Sequence, residues 1–407
     1  MKILVVTQYF WPENFRINEI VEEMQSRGHQ VAVLTGIPNY PDGIVFPDFQ
    51  QAPESFRSYH GAEVFRVPMF PRGKGKISLI LNYLSFAVSG CLAGAWKLRG
   101  RSFDVILAFE PSPITVGIPS AFMRLLKNTP QAFWVLDLWP ETLKAINVLR
   151  SNFSLGLVNR LVRFIYKRCD LILAQSKSFI SYIQKQVEAG KRIEYFPAWP
   201  EAVNWDLTDI SPAPEVQHRP DTFTVLFAGN IGEAQDFPAI LKAAKSIRQR
   251  KDIRLVVVGD GRDAGRVAEK VSQSGLDETF IMPGRFELQR MPEFFAHADA
   301  LLVSLKDEPI FSMTIPGKLQ SYLATGIPVL AMLNGEGADV VENAGAGLVC
   351  NAGDSEKLAE NIIRLADLDD VEREEMGNRG KAFCEREFGR ESLLDQLEAW
   401  LDQLRSR

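Results

Sequence analysis

A short run of residues that is apolar without interruption, then an amphipathic helix, then another such run, recurs along this chain. No other feature limits the fold as strongly. Lys2 to Thr7 (KILVVT) is the first run. Continuous apolarity is what a parallel strand covered by helices on both faces requires, whereas a strand with one wet face would alternate. Residues 14–27 follow with helical spacing at Ile17, Ile20, Val21 and Met24; Gly28 ends that helix and Val31–Leu34 makes the next strand. Further strands are predicted near 63–67, 104–108, 132–136 and 170–174, separated by helical stretches. The spacing reads as a doubly wound α/β parallel sheet.

A polar stretch, 200–221, then interrupts the pattern; with Pro212, Pro214 and Pro220 and no periodicity it reads as a linker. The pattern restarts at Thr222 with FTVLFAGN, a helix from about 236, and IRLVVVGDG. Strands are expected near 279–282, 299–303, 328–331 and 346–349, and amphipathic helices at 354–367, 371–384 and 390–405. With 407 residues the chain is long enough for two or three domains. The expectation is two tandem Rossmann-like domains, 1–199 and 222–389, facing a central cleft.

Charge divides along the same line. Residues 1–197 carry a formal charge of +8 and the remainder −13, beneath a net of −5. A basic half suits phosphates, nucleic acid or anionic lipid headgroups, although plain solvated surface has the same composition. Cys91, Cys169, Cys350 and Cys384 show no C-x-x-C spacing, which argues against a zinc site or disulfide scaffold and favours a reducing compartment. The start, MKILVVTQYFWPE, lacks a signal-peptide core, so a cytoplasmic protein is expected.

Ile77 to Leu98 is 22 residues without an acidic group and with one cation, Lys97. Its length would just span a bilayer, but Asn82, three serines and its place inside an α/β pattern leave three readings open: a span, a buried domain helix, or an interfacial helix. Arg72, Lys74 and Lys76 precede it, and Arg99 and Arg101 follow. Arg150 to Arg168 is a second basic amphipathic stretch, with Arg160, Arg163, Lys167 and Arg168 among Leu157, Val158, Leu161, Phe164 and Ile165. It reads as a surface-lying helix or as one whose long cations cover apolar surface.

In open α/β sheets ligands bind beyond the carboxyl ends of strands, so the residues just after each strand are the ones to weigh. Arg16 lies in the first turn of the first helix, where free amides and a cation could receive a phosphate, or where Arg16 could pair with Glu13 or Glu19. Gly229 and Gly232 in FAGNIG would allow close backbone approach or simply make a turn. VVVGDG, at Val256–Gly261, is not a dinucleotide fingerprint, because Ala264 stands where the last glycine is needed. No Walker A sequence and no H-E-x-x-H signature occurs. Lys318 follows Pro316 at a predicted helix start, an unfavourable place for a cation unless an anion is bound, or unless Asp307 or Glu308 pairs with it. Asp137, in AFWVLDLWPET, follows a strand among Trp134, Trp139 and Pro140; it is a candidate base or a helix N-cap. Glu110, in AFEPSP, is a second candidate at the same edge. The four histidines form no cluster, and His29 reads as structural.

Taken together, LVVTQYFWPENFRINEIVEEMQSRGHQVAVLTGIPNYPDG, DLWPET, FAGNIGEAQDF, VVVGDGRD and PGKLQSYLATGIPVLA resemble retaining glycosyltransferases of the GT-B fold. More narrowly, the chain is similar to family 4 members that add sugars such as fucosamine in bacterial O-antigen or capsule assembly. The resemblance covers essentially the whole chain, with the motifs in the family's order. It implies a C-terminal domain that binds a nucleotide-sugar, UDP-linked donors being favoured by the nearer relatives, and an N-terminal domain that binds a polyprenyl-diphosphate-linked saccharide. It also implies a last helix, about 390–407, that packs back on the N-terminal domain. Lys318 and its neighbouring amides would hold the diphosphate, Gly229 to Gly232 would line the phosphate and sugar, and Arg16 falls where many relatives carry a glycine pair. Asp137 matches an acceptor-side catalytic or orienting position.

The chain departs from the family's pattern. Asn230 and Gln235 stand where many members have Arg and Lys. The family's pair of glutamates is absent, with Met313 and Ser321 in its place, unless Glu308 supplies the first by another loop path. The resemblance implies a transferase without cofactor or metal, peripheral on the cytoplasmic membrane face through 72–101 and 150–168, and no nucleic-acid partner. Two other readings stay open: a nucleotide-sugar epimerase of the same double fold, and a non-catalytic nucleotide-sugar-binding partner.

Overall fold

The computed structural model describes residues 1–406 except Lys74, Ile146, Asn147, Arg150, Ala202, Asn204 and Pro220, and for Lys76 the backbone alone. The readings that rest on Lys74, Arg150, Pro220 and the Lys76 side chain lie outside the described residues. The chain forms two compact units: Met1–Phe196 together with Glu391–Arg407, and Pro197–Arg390.

The first unit is built on eight strands, β1 (Lys2–Thr7), β2 (Gln30–Thr35), β3 (Ser58–Tyr59), β4 (Ala62–Arg66), β5 (Val105–Glu110), β6 (Gln131–Val135), β7 (Leu171–Ala174) and β8 (Ile193–Tyr195). Their order is β3-β4-β2-β1-β5-β6-β7-β8. All neighbours are parallel except β3 and β4. Every residue of β5 and β6 is buried, which is why these segments read as unbroken apolar runs. Chain order reverses between β1 and β5, where Ile3 pairs with Val105. The crevice of a doubly wound sheet opens at such a reversal, past the carboxyl ends of the strands.

Helix Lys76–Lys97 is the segment for which the sequence left three readings open. Its inner face, with Phe86 and Ala87, is buried against the unit. A Cβ on Gly90 would lie 2.8 Å from Pro119, and one on Gly94 2.9 Å from Leu34, so small residues let the helix seat closely. Its outer face is exposed, with Leu92 at 69%. The helix is therefore amphipathic by position, one face in the domain and one outside.

The final helix, Arg390–Arg405, packs in the first unit. It buries Leu394, Leu397 and Leu401, and Trp400 meets Phe196 edge to face at 6.0 Å. Arg27 reaches Asp395 at 2.7 Å and Glu398 at 2.8 Å. His29, bonded to Glu398 at 2.8 Å, has a structural part in the same contact.

The second unit holds a six-stranded parallel sheet of β9 (Phe223–Ala228), β10 (Ile253–Val258), β11 (Phe280–Gly284), β12 (Ala300–Ser304), β13 (Val329–Met332) and β14 (Gly347–Cys350), in the order β11-β10-β9-β12-β13-β14. One hydrophobic core covers each face. Asp354 and Asp369 cap the two helices that follow β14, accepting from the amides of Lys357 and Glu372. The stretch 200–221, expected as a linker, is packed into this unit. Trp205 stacks on Phe295 at 5.5 Å, and Ala213 and Val216 are buried in the core. The correction has a plain cause: with single apolar anchors between prolines, such a segment carries no periodicity even where it is buried.

Candidate functional site

In the first unit the candidate residues gather past β1, β5 and β6. Asp137 follows β6, and its carboxylate accepts from the Thr142 hydroxyl and, at 3.1 Å, from Trp139 Nε1. Ser112 adds a further hydrogen bond. Burial outweighs these donors and raises the Asp137 pKa above the usual carboxylate range. Tyr83 closes this corner, with a hydrogen bond to Ser112 and its ring 5.9 Å from Trp139. An enclosed carboxylate of raised basicity, braced by a hydroxyl and an indole, is suited to orient or deprotonate an alcohol.

Glu110 lies deeper still. It is the last residue of β5, fully buried, and neither carboxyl oxygen finds a hydrogen-bond partner. Burial first, and then the Asp137 charge, hold its pKa well above the ordinary value, which favours the neutral acid. Its expected role as a substrate-facing group is therefore corrected: no surface of it is available to a substrate. Arg16 opens helix Arg16–Ser26 and pairs with Glu19 at 2.9 Å, one of the two pairings the sequence left open.

The structure adds Arg66, which the sequence did not single out, and gives Glu13 and Arg72 partners other than those the sequence suggested. Glu13 accepts from the amides of Phe10 (3.0 Å), Asn39 (2.7 Å) and Tyr40 (2.7 Å), tying together the loops after β1 and β2. Burial nevertheless pushes its pKa up to about 7. Beside it Arg66 donates to the carbonyls of Gly36 and Trp11, and burial lowers its pKa to about 10. Arg72 donates to the Tyr9 hydroxyl at 3.2 Å and lies over the Tyr40 ring at 5.3 Å. Apart from Phe10, these partners are separated by 26 to 63 residues, and no periodicity or local spacing marks them.

In the second unit the sheet reverses at β9 and β12, and the glycine loops lie past β9 and β10. Gly229 has φ +136° and Gly259 φ +149°. A Cβ on Gly259 would stand 1.9 Å from the Gly229 carbonyl oxygen, so only glycines allow the two loops to touch backbone to backbone. Lys318 is the second residue of helix Gly317–Thr325. Its Nζ sits 3.6 Å over the Phe227 ring, is buried, and has no hydrogen-bond partner. It pairs with neither Asp307 nor Glu308. Burial drives its pKa down to about 7. A Cβ on Gly229 would approach Nζ to 3.0 Å, so the bare glycine and the ammonium share one small space. An unpartnered buried cation beside open backbone is an anion site by its chemistry.

Asn230 and Gly232 belong to the same loop, and Asn230 Nδ2 donates to Gln235 Oε1 at 3.1 Å. The two residues that stand in the family's cationic positions are thus bonded to each other. Glu308 instead begins the short Pro309–Ser312 helix, where its carbonyl accepts from the Ser312 amide at 3.2 Å. Ser321 is buried, and its hydroxyl accepts from the Glu201 amide at 3.2 Å. The structure therefore brings together Gly229, Asn230, Gly232 and Lys318, and sets the Ser321 hydroxyl on the backbone at Glu201. Among the described residues no group of three or more His, Cys, Asp or Glu is placed to hold a metal ion.

Comparison with known proteins adds a family on each unit. A glycosyl transferase 4-like domain matches residues 14–199, and the family of group 1 glycosyl transferases matches 222–367. The chain is 27% identical over 348 residues to the putative colanic acid biosynthesis glycosyl transferase WcaI of Escherichia coli K12, covering 80% of this chain and 82% of that one. It is 23% identical over 380 residues to a GDP-mannose-dependent alpha-mannosyltransferase of Mycobacterium tuberculosis, covering 90% and 88%. The structure of Anabaena HepE with UDP and glucose superposes with a TM-score of 0.69 at 16% identity, over 99% of this chain and 100% of that one. The two-domain GT-B fold expected from the sequence is the one observed.

Proposed function

The chain belongs to the group 1 glycosyltransferases of the GT-B fold, and on that premise we propose that it moves a deoxy- or aminohexose from a UDP-sugar to a lipid-diphosphate-linked saccharide in surface polysaccharide synthesis. The observation that carries the donor half is the Lys318 ammonium, buried and unpartnered over Phe227 beside Gly229. A diphosphate entering there supplies the counter-charge that the fold leaves out. The kinship with a colanic acid transferase supports a polysaccharide product, and the UDP held by HepE supports the uridine carrier.

In this reading the second unit binds the donor and the first binds the acceptor. Transfer proceeds with retention and without a metal. As the bond from the anomeric carbon to the diphosphate oxygen breaks, negative charge builds on the leaving nucleoside diphosphate. Lys318 and the amides of Gly229 to Gly232 stabilise it where it forms. The acceptor hydroxyl oxygen bonds to the anomeric carbon from the face the phosphate leaves, and its proton passes to Asp137, whose raised pKa suits a base.

Isothermal titration with UDP, GDP, ADP and TDP, comparing wild type with Lys318→Ala, tests this. We expect selective binding of UDP, weakened about 30-fold or more by the substitution, as for loss of a charge-assisted hydrogen bond. Binding of GDP alone would overturn the uridine assignment. Binding of no nucleotide by a folded protein would overturn the donor site.

A further inference from the structure

The donor and acceptor chemistry leaves one large feature of the first unit unused. Among the described residues, thirteen of the sixteen large apolar side chains that stand exposed lie on three helices, Lys76–Lys97, Gly117–Lys127 and Asn152–Arg168. The first packs on the second and the second on the third. Pro119 meets Gly90, Met123 meets Gly94, and Ile165 meets Gly117, so the three form one continuous layer. On the longest helix the exposed positions include Leu84, Val88, Leu92 and Trp96, spaced by four residues as a row slanting along the outer side. Leu125, 62% exposed, and Leu157, 61% exposed, extend the same character to the neighbouring helices. A contiguous apolar face of this kind marks a site of attachment rather than ordinary surface.

The charge pattern says what attaches. None of the three helices contains an aspartate or glutamate, and together they carry eight lysines and arginines, of which Arg124 pairs with Asp170 and Lys167 with Glu188 from other elements. No acidic residue occurs anywhere from Val64 to Phe103. Two cations stack on aromatic rings of the layer, Arg99 on Trp96 at 4.2 Å and Arg168 on Phe164 at 3.5 Å. Aromatic and cationic side chains in that combination sit at the headgroup level of a bilayer. Two copies of this face would instead set cation against cation.

We propose that this three-helix face seats the first unit on an anionic bilayer, with helix Lys76–Lys97 lying in the plane of the interface and not across it. The seat stands on the surface alone and does not depend on the donor reading. It also gives the acceptor a short path. On the turn that presents Leu81 and Leu84 outward, Asn82 and Tyr83 face inward: Asn82 Oδ1 accepts from Gln8 at 2.8 Å, and Tyr83 meets Trp139 beside Asp137. The Asp137 corner thus lies about one helix diameter, roughly 10–12 Å, behind the lipid-facing stripe. A sugar carried on a lipid diphosphate reaches that depth with its lipid still in the membrane.

The test is flotation of the full chain with phosphatidylcholine vesicles, with and without about a third phosphatidylglycerol. We expect capture by the anionic vesicles, weaker capture by the neutral ones, and loss at high salt. Val88→Asp/Leu92→Asp on the long helix and Leu125→Asp on the second should each lower partitioning about tenfold or more, with unchanged melting temperature and unchanged UDP titration. Wild type left in the supernatant with both vesicle types would overturn the seat. So would a concentration-dependent dimer that Leu92→Asp dissociates, since a second copy would then cover the face. If vesicles fail but UDP still binds, the seat is wrong and the transferase reading stands. Capture without UDP binding would mean the reverse.

Discussion

Replacing Lys318 with methionine should stabilise the empty protein while crippling its donor site. The stem of the side chain is kept and only the ammonium is lost. Burial lowers the Lys318 pKa from 10.5 to about 7, which corresponds to a penalty of about 5 kcal/mol on the charged form. The face of Phe227, 3.6 Å from Nζ, returns about 1–2 kcal/mol as a cation–π attraction. The net cost of the ammonium to the empty fold at pH 7 is then about 3 kcal/mol. For a unit of this size about 2–4 °C accompanies each kcal/mol, so Lys318→Met should melt about 6–12 °C higher. The pH dependence follows from the same shift. Between about 7 and 10.5 the unfolded lysine still holds its proton while the folded one has released it. The unfolded state binds more protons there, and raising the pH favours folding. Wild type should therefore gain on going from pH 7 to pH 9.5, and Lys318→Met should gain less by the share that Lys318 contributes. Scanning calorimetry at both pH values, without and with UDP, reads all of this. A methionine variant that melts lower at pH 7 and binds UDP like wild type would refute both the burial argument and the phosphate site.

Three other perturbations follow from the geometry. Asp137→Asn keeps the shape of the carboxylate and removes the base; turnover should fall about 10²- to 10⁴-fold with the melting temperature little changed, and wild-type turnover in a transfer assay would exclude the role. Glu13→Ala strands the amides of Phe10, Asn39 and Tyr40; denaturant titration should show a loss of about 3 kcal/mol, and a loss below about 0.5 would mean that water replaces the carboxylate. Transfer should persist in excess EDTA, because Lys318 and backbone amides take the place of a divalent ion at the diphosphate; abolition by EDTA with rescue by a divalent metal would contradict that.

Much of the site's legibility depended on distance along the chain. Asp137 was singled out because a carboxylate directly after an apolar run, beside Trp139 and Pro140, is a local signal. Lys318 was singled out because a cation at a helix start is locally unfavourable. Glu110 was singled out for the same reason as Asp137: both end apolar runs, and only packing buries Glu110 completely. Ser321 entered by alignment to a family position, yet its hydroxyl serves Glu201, 120 residues away. Arg66 went unmarked, and Glu13 and Arg72 were read only as an alternative partner of Arg16 and a basic flank, because their true partners come from loops that the sheet alone brings together.

The sequence by itself determined the two α/β units and the ends of their elements. Burial on both faces forces parallel strands to be apolar throughout, and residues such as Gly28, Asp354 and Asp369 terminate or cap helices through their own backbone and side chains. Those are local requirements, and they leave local marks. Tertiary structure alone decided which face of helix Lys76–Lys97 is covered, that Leu125 and Leu126 stand outside, that Trp205 is packed on Phe295, and that Lys318 lies unpaired over Phe227. An apolar stripe is written identically whether it meets a sheet or a lipid, and a lysine identically whether its charge is paired or stranded. The difference lies in which other residues the fold sets against it.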